Sequence, residues 1–243
     1  VVSKIRDCAH LELIGLHAFS GTQCLDPRAL VENYKIYIDM FGRIADNHNI
    51  TMEKCILGSG LGIPYHDGDE PVDASVIAAD INHYLDEARK ERVFTQTTFT
   101  LETGRFLVGE SGFFLTTVLN AKVSRGTHIA ICDGGMNNHL GACGLLGTVI
   151  RRNYPMELLA DDANSRPVLQ QELVGPLCTS IDLLGHNVGL PLLKSGDLIA
   201  VRSSGAYGLS ASPVNFISHP SPREVLLRSR VPWDLVDITE SPT

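Results

Sequence analysis

Lys54-Cys55-Ile56-Leu57-Gly58-Ser59-Gly60-Leu61-Gly62 is the stretch whose reading decides the fold. A short run of strand character passes directly into a glycine-rich turn. After a polar, proline-containing loop, a helical pattern runs from about residue 73 to 92 with Ile77, Ile81, Leu85 and Ala88 on one face. The same order occurs upstream. Residues 11–19 are mostly apolar and end in Ser20-Gly21-Thr22, and residues 27–47 then align Leu30, Val31, Tyr34, Ile38, Phe41 and Ala45. Downstream, a third strand over 97–101 ends at Glu102-Thr103-Gly104-Arg105. Strands alternating with amphipathic helices imply a parallel sheet, either open or closed as a β/α barrel.

After about Gly112 the texture changes. Residues 114–123, 127–132 and 197–202 are short β-type runs between turn residues, with few amphipathic helices, and 160–166 reads as a loop with little to bury. The expected fold class is therefore α/β plus all-β, with a parallel domain over 1–112 and a mainly antiparallel β domain over 113–243. A chain of 243 residues that is 44% hydrophobic can bury cores for both. Its formal charge of -8, with both signs interspersed, argues against a nucleic-acid partner. No apolar run reaches the roughly 18 residues of a membrane span, and the first ten residues do not read as a signal peptide. Six cysteines without C-x-x-C pairs support neither zinc nor a redox motif, so a cytoplasmic protein with reduced thiols and no metal is expected.

In parallel β/α architectures functional groups gather at the carboxyl ends of the strands. Gly58-Ser59-Gly60 there can cradle a phosphate with backbone N–H groups, or can be only a tight turn. Glu102 and Arg105 can be a surface ion pair, or can serve a nitrogen heterocycle and an anion. In the second half, Cys178 follows the turn Gly175-Pro176-Leu177. It can act as an acid or nucleophile, or fill space as a small hydrophobe. Tyr207, within Gly205-Ala206-Tyr207-Gly208, is a ligand contact or a packing residue. His17, between apolar neighbours, reads as a core histidine.

Together and in this order the pieces resemble the fold-type III pyridoxal-phosphate (PLP) decarboxylases, the diaminopimelate/ornithine decarboxylase family. Gly15 to Gln23 is similar to its "GLHFHIGSQ", Gly58 to Gly62 to "GGGFG", and Leu101 to Arg105 to "EPGR". Cys132 to Asn137 is similar to "VDAGMN", Gly175 to Cys178 to "GPxC", and Gly205 to Gly208 to "GAYG". The resemblance implies the C-terminal portion of a PLP-binding (β/α)8 TIM-type barrel, followed by an antiparallel β-barrel-like domain. It also implies a homodimer with active sites shared across the interface. Glu102 would bond the pyridine nitrogen. His17, Phe19, Thr22, Gly58, Ser59, Gly60, Gly104, Arg105 and Tyr207 would complete the cofactor site. Cys178, from the partner subunit, would supply a proton after carbon dioxide departs, and Asp133 and Thr179 would face the substrate.

Three departures bear on this. The family's cofactor lysine lies upstream of every motif here, so the chain should not form a complete active site alone. Phe19 stands where the family usually stacks a histidine on the ring, a role an aromatic face can still fill. Thr179 follows Cys178 where diaminopimelate and ornithine decarboxylases carry an acid for the substrate's distal ammonium. With no arginine-proline pair after Asn137, this is closer to the subgroup of natural-product and exosortase-associated clusters. Some members of that subgroup decarboxylate an aminoacyl group tethered to a carrier protein. The alternatives are a diaminopimelate decarboxylase acting on the free amino acid, and a catalytically inactive paralogue that regulates an active enzyme. A PLP racemase is disfavoured by the two motifs of the β domain.

Overall fold

The computed structural model describes residues 1–66, 68–146 and 151–239, so the last four positions of the expected second domain lie outside the described residues. The chain divides into two compact units, Val1–Glu110 and Ser111–Thr243.

The first unit runs α1 (Val2–Arg6), β1 (Gly15–Ala18), α2 (Pro27–His48), β2 (Lys54–Gly58), α3 (Ala74–Ala88), β3 (Thr98–Glu102) and α4 (Gly104–Val108). Its strands form a parallel sheet in the order β1-β2-β3. Helix α2 starts where the side chain of Asp26 accepts from the Arg28 amide ahead of Pro27, and stops where Asn49 turns left-handed at φ 50. All six residues that the periodicity aligned on this helix are buried. Helix α3 is capped by Asp73 and buries Ile77, Ile81, Leu85 and Ala88, but ends at Ala88 rather than near residue 92. A separate 3-10 turn, Arg92–Phe94, then buries Val93 and Phe94. Strand β1 is shorter than its apolar run because its partner begins only at Lys54, in register with Gly15.

The two faces of this sheet differ. Leu16, Ala18, Cys55, Leu57, Phe99 and Leu101 pack with the helices in one apolar core. On the other face His17, Phe19, Thr98, Thr100 and Glu102 are exposed. Parallel sheets are ordinarily covered on both faces; here, among the described residues, one face is bare.

The second unit contains β4 (Phe114–Ser124), β5 (Thr127–Cys132), β6 (Met156–Leu159), β7 (Val168–Val174), β8 (Leu183–Pro191) and β9 (Leu198–Val201). They form one sheet in the order β6-β9-β4-β5-β7-β8. The edge strands β6 and β8 approach each other, so the sheet curls nearly closed around Val118, Cys132, Leu173, Leu184, Ile199 and Val201. All pairings are antiparallel except β5 with β7. A hairpin of β10 (Val225–Arg230) and β11 (Trp233–Asp237) forms a second, two-stranded sheet.

The segment 160–166 has more to bury than its composition suggests. Arg166 is nine-tenths buried, donates to Asp162 and Asp197, and also bonds the Leu192 carbonyl. Those bonds tie the segment to the start of β9, and with Lys194 they hold the Asp162 carboxyl at about 2. Among the described residues no helix is long and apolar enough to cross a membrane, and no group of three or more His, Cys, Asp or Glu is placed to hold a metal ion.

Candidate functional site

The carboxyl ends of β1, β2 and β3 form one row, because the register pairs Ala18 with Leu57, Leu57 with Leu101, and Gly58 with Glu102. Strand alternation puts His17, Phe19 and Glu102 on the bare face. His17 is thus no core histidine: its Nε2 lies 2.9 Å from Oε2 of Glu102, with both side chains about half exposed. Phe19 lies across Gly58, where a Cβ would stand 2.7 Å from its ring, yet the residue as a whole is 59% exposed. Only glycine lets that ring lie over the end of β2.

The two loops beyond β1 and β2 are zipped together. The Cys24 amide donates to the Gly60 carbonyl at 2.9 Å, and the Gly62 amide donates to the Cys24 carbonyl at 3.0 Å. Gln23, at φ 57, donates from Nε2 to the Ile63 carbonyl and accepts from the Ile63 amide. Gly60 needs its φ of 66, and a Cβ there would sit 2.7 Å from the Gly21 carbonyl. Thr22 is carried exposed on this loop, beside open space over Gly21. Ser59 is buried, and both its N–H and its hydroxyl donate to the carbonyl of Glu102, bracing β2 against β3. At the end of β3, Gly104 opens α4 with nothing within 4 Å of a built Cβ. Arg105 donates to the Tyr65 hydroxyl at 2.6 Å with its guanidinium over the ring.

In the second unit, Asp133 stands exposed after β5, with one carboxylate oxygen fixed by the Thr116 hydroxyl at 2.7 Å and the Thr117 amide at 2.8 Å. Cys178 is exposed and Thr179 half-buried. The turns bearing them meet at a residue to which the sequence reading gave no role. Asp182, only 3% exposed, accepts from the Met136 amide at 2.7 Å through Oδ1 and from the Leu177 amide at 2.8 Å through Oδ2. A Cβ at Gly135 or Gly175 would come within 2.1 or 2.3 Å of that carboxylate, so both must be glycine. The two glycines were the only trace of this hub in the sequence. Burial pushes the thiols of Cys132 and Cys143 up to about 12, which keeps them protonated. Tyr207 is exposed at φ 60.

Residues 13–205 match the family described as pyridoxal-dependent decarboxylase, C-terminal sheet domain. The chain is 39% identical over 231 residues to the L-glutamyl-[BtrI acyl-carrier protein] decarboxylase of Niallia circulans, covering 94% of this chain and 54% of that protein. It is 31% identical over 217 residues to a diaminopimelate decarboxylase of Methanothermobacter thermautotrophicus, covering 89% and 49%. The crystal structure of diaminopimelate decarboxylase from Helicobacter pylori complexed with L-lysine superposes with a TM-score of 0.76 at 25% identity, over 97% of this chain and 54% of that one. The chain thus spans about half the length of these relatives.

Proposed function

This chain belongs to the pyridoxal-dependent decarboxylases, and on that premise we propose that the whole protein is a PLP-dependent decarboxylase of an aminoacyl group tethered to an acyl carrier protein. The observation that carries the substrate class is the 39% identity, over nearly the whole chain, to a decarboxylase named for a carrier-bound glutamyl group. Thr179 agrees with it. A free diamino acid would bring a distal ammonium into the site, and a buried cation without a charged partner is costly.

The residues present fit the cofactor. Gly58 and Gly60 leave no room for a Cβ, there is open space over Gly21 and Gly104, and a half-exposed carboxylate stands beside a half-exposed aromatic ring. Bound there, PLP supplies a conjugated ring that takes up the electron pair left as carbon dioxide departs. Glu102 accepts from the ring nitrogen and keeps it protonated, while His17 holds that carboxylate in place. Phe19 offers its face to the ring. Thr22, the loop over Gly58 to Gly60 braced by Ser59, Gly104, Arg105 and Tyr207 hold the phosphate. Cys178, from a second copy of the chain, delivers a proton to the carbon that has lost its carboxylate, and Asp133 and Thr179 line the substrate pocket. The reading includes a cytoplasmic homodimer, with the boundary between a 1–112 barrel part and a 113–243 β domain near residue 112.

The bare sheet face supports a further part of this reading: the remaining barrel strands, with the cofactor lysine, precede this segment in the full protein. Borohydride reduction of the PLP-loaded product of the complete reading frame, followed by peptide mapping, tests it. A pyridoxyl-lysine in an upstream peptide is expected. Its absence everywhere would favour the inactive, regulatory paralogue. Turnover of carrier-bound against free amino acids then separates the proposed substrate class from free diaminopimelate, the activity named for the 31% identical relative.

A further inference from the structure

The turn that carries Tyr207 is strained at both ends: Ser203 and Tyr207 hold φ of 55 and 60, a left-handed conformation that costs a side-chain-bearing residue on the order of 1 kcal/mol. Such a turn persists only if its surroundings hold it. Two consecutive residues outside every motif role assigned above do so. His139 is 1% exposed, and its Nδ1 accepts from the Ala142 amide at 3.0 Å. An amide can only donate, so the ring proton must sit on Nε2, which then donates to the Ser204 hydroxyl at 3.0 Å. The Ser204 hydroxyl in turn donates to the Val201 carbonyl at 2.9 Å. The next amide, Leu140, donates to the Ser212 hydroxyl at 2.8 Å, and Ser212 donates to the Gly208 carbonyl at 2.5 Å. The imidazole is wedged edge-on against Phe114 and Tyr154, with centroids 5.8 and 5.2 Å away. At Gly208, a Cβ would meet the Ser204 carbonyl at 2.9 Å and the imidazole at 3.7 Å.

We infer that His139, as a fixed Nε2–H tautomer, is the positioning residue of the Tyr207 turn. Its value to the cofactor rests on the phosphate role proposed for Tyr207; its hold on the turn does not.

The test uses the full-length protein with His139→Phe, His139→Gln and Ser204→Ala. Phe keeps the ring volume and loses both nitrogen bonds, whereas Gln keeps a donor near the position of Nε2. Amide hydrogen exchange over residues 204–208 should quicken about fivefold in His139→Phe and in Ser204→Ala, the loss of one buried hydrogen bond, and no further when the two are combined. His139→Gln should restore most of the protection, and PLP affinity should fall by the same factor in the same variants. Nitrogen-15 shifts of the wild-type imidazole should show a protonated Nε2 and a bare Nδ1. Wild-type exchange in His139→Phe, or the opposite tautomer, overturns the inference. Faster exchange with unchanged PLP affinity upholds the hold on the turn and removes Tyr207 from the phosphate site.

Discussion

Two histidines mark the difference between the two units. His17, on the bare sheet face, shares a half-exposed bond with Glu102, and what brings the two together is strand register. His139 is sealed in the second unit, where both ring nitrogens are engaged and two aromatic rings close over it. The same contrast separates the carboxylates: Glu102 stands half in solvent, and Asp182 is capped by two buried amides. The first unit exposes its chemistry on a regular scaffold. The second builds irregular loops, and buried polar groups must hold them.

If that contrast is right, substitutions should separate by unit. Asp182→Ala strands two buried amides and should cost about 3 to 4 kcal/mol in denaturant unfolding of the full-length protein; a loss under about 1 kcal/mol would abolish the distinction. Next in size is a pH effect. Burial holds the His139 imidazole down at about 4 against an ordinary 6.5. The unfolded chain therefore binds this proton first, so stability is lost as pH falls from 6.5 to about 4 and is untouched above 6.5. The gap is worth at most about 3 kcal/mol, and His139→Phe should remove that portion of the acid dependence. On the open face the effects should fall on turnover instead. Glu102→Gln should cut turnover about 100-fold or more with PLP occupancy little changed, since a neutral amide cannot keep the ring nitrogen protonated. His17→Ala should be the mildest in the 243-residue chain by itself, costing under about 1 kcal/mol of stability because exposed pairs contribute little; a distinctly larger loss is expected in the full-length protein if the remaining barrel strands cover this face, and equal losses in the two would count against that cover.

The legible parts of the sequence were those with local signals. Helix α2 announced itself by the period of six apolar positions, all of which are buried. The strand-end motifs were legible because the first unit puts them where the architecture expects function. His17 was misread because a short apolar run does not say which face a residue takes, and that depends on register with Glu102, 85 residues away. Asp182 and His139 left almost no local trace. Each has one near partner, but the bonds that close the loops reach 46 and 65 residues away, and a buried polar side chain becomes meaningful only once those loops are closed. The segment 160–166 was undervalued for the same reason, since the buried partner of Arg166 is Asp197 on the far side of β8.

The meeting of Gly135, Gly175 and Asp182 also constrains how this protein can change through descent. A side chain at either glycine is excluded while the carboxylate is present, and removing the carboxylate abandons two amides before any new side chain has filled its place. Each single replacement lowers stability, so the three positions behave as one unit that can be exchanged together but hardly piecemeal.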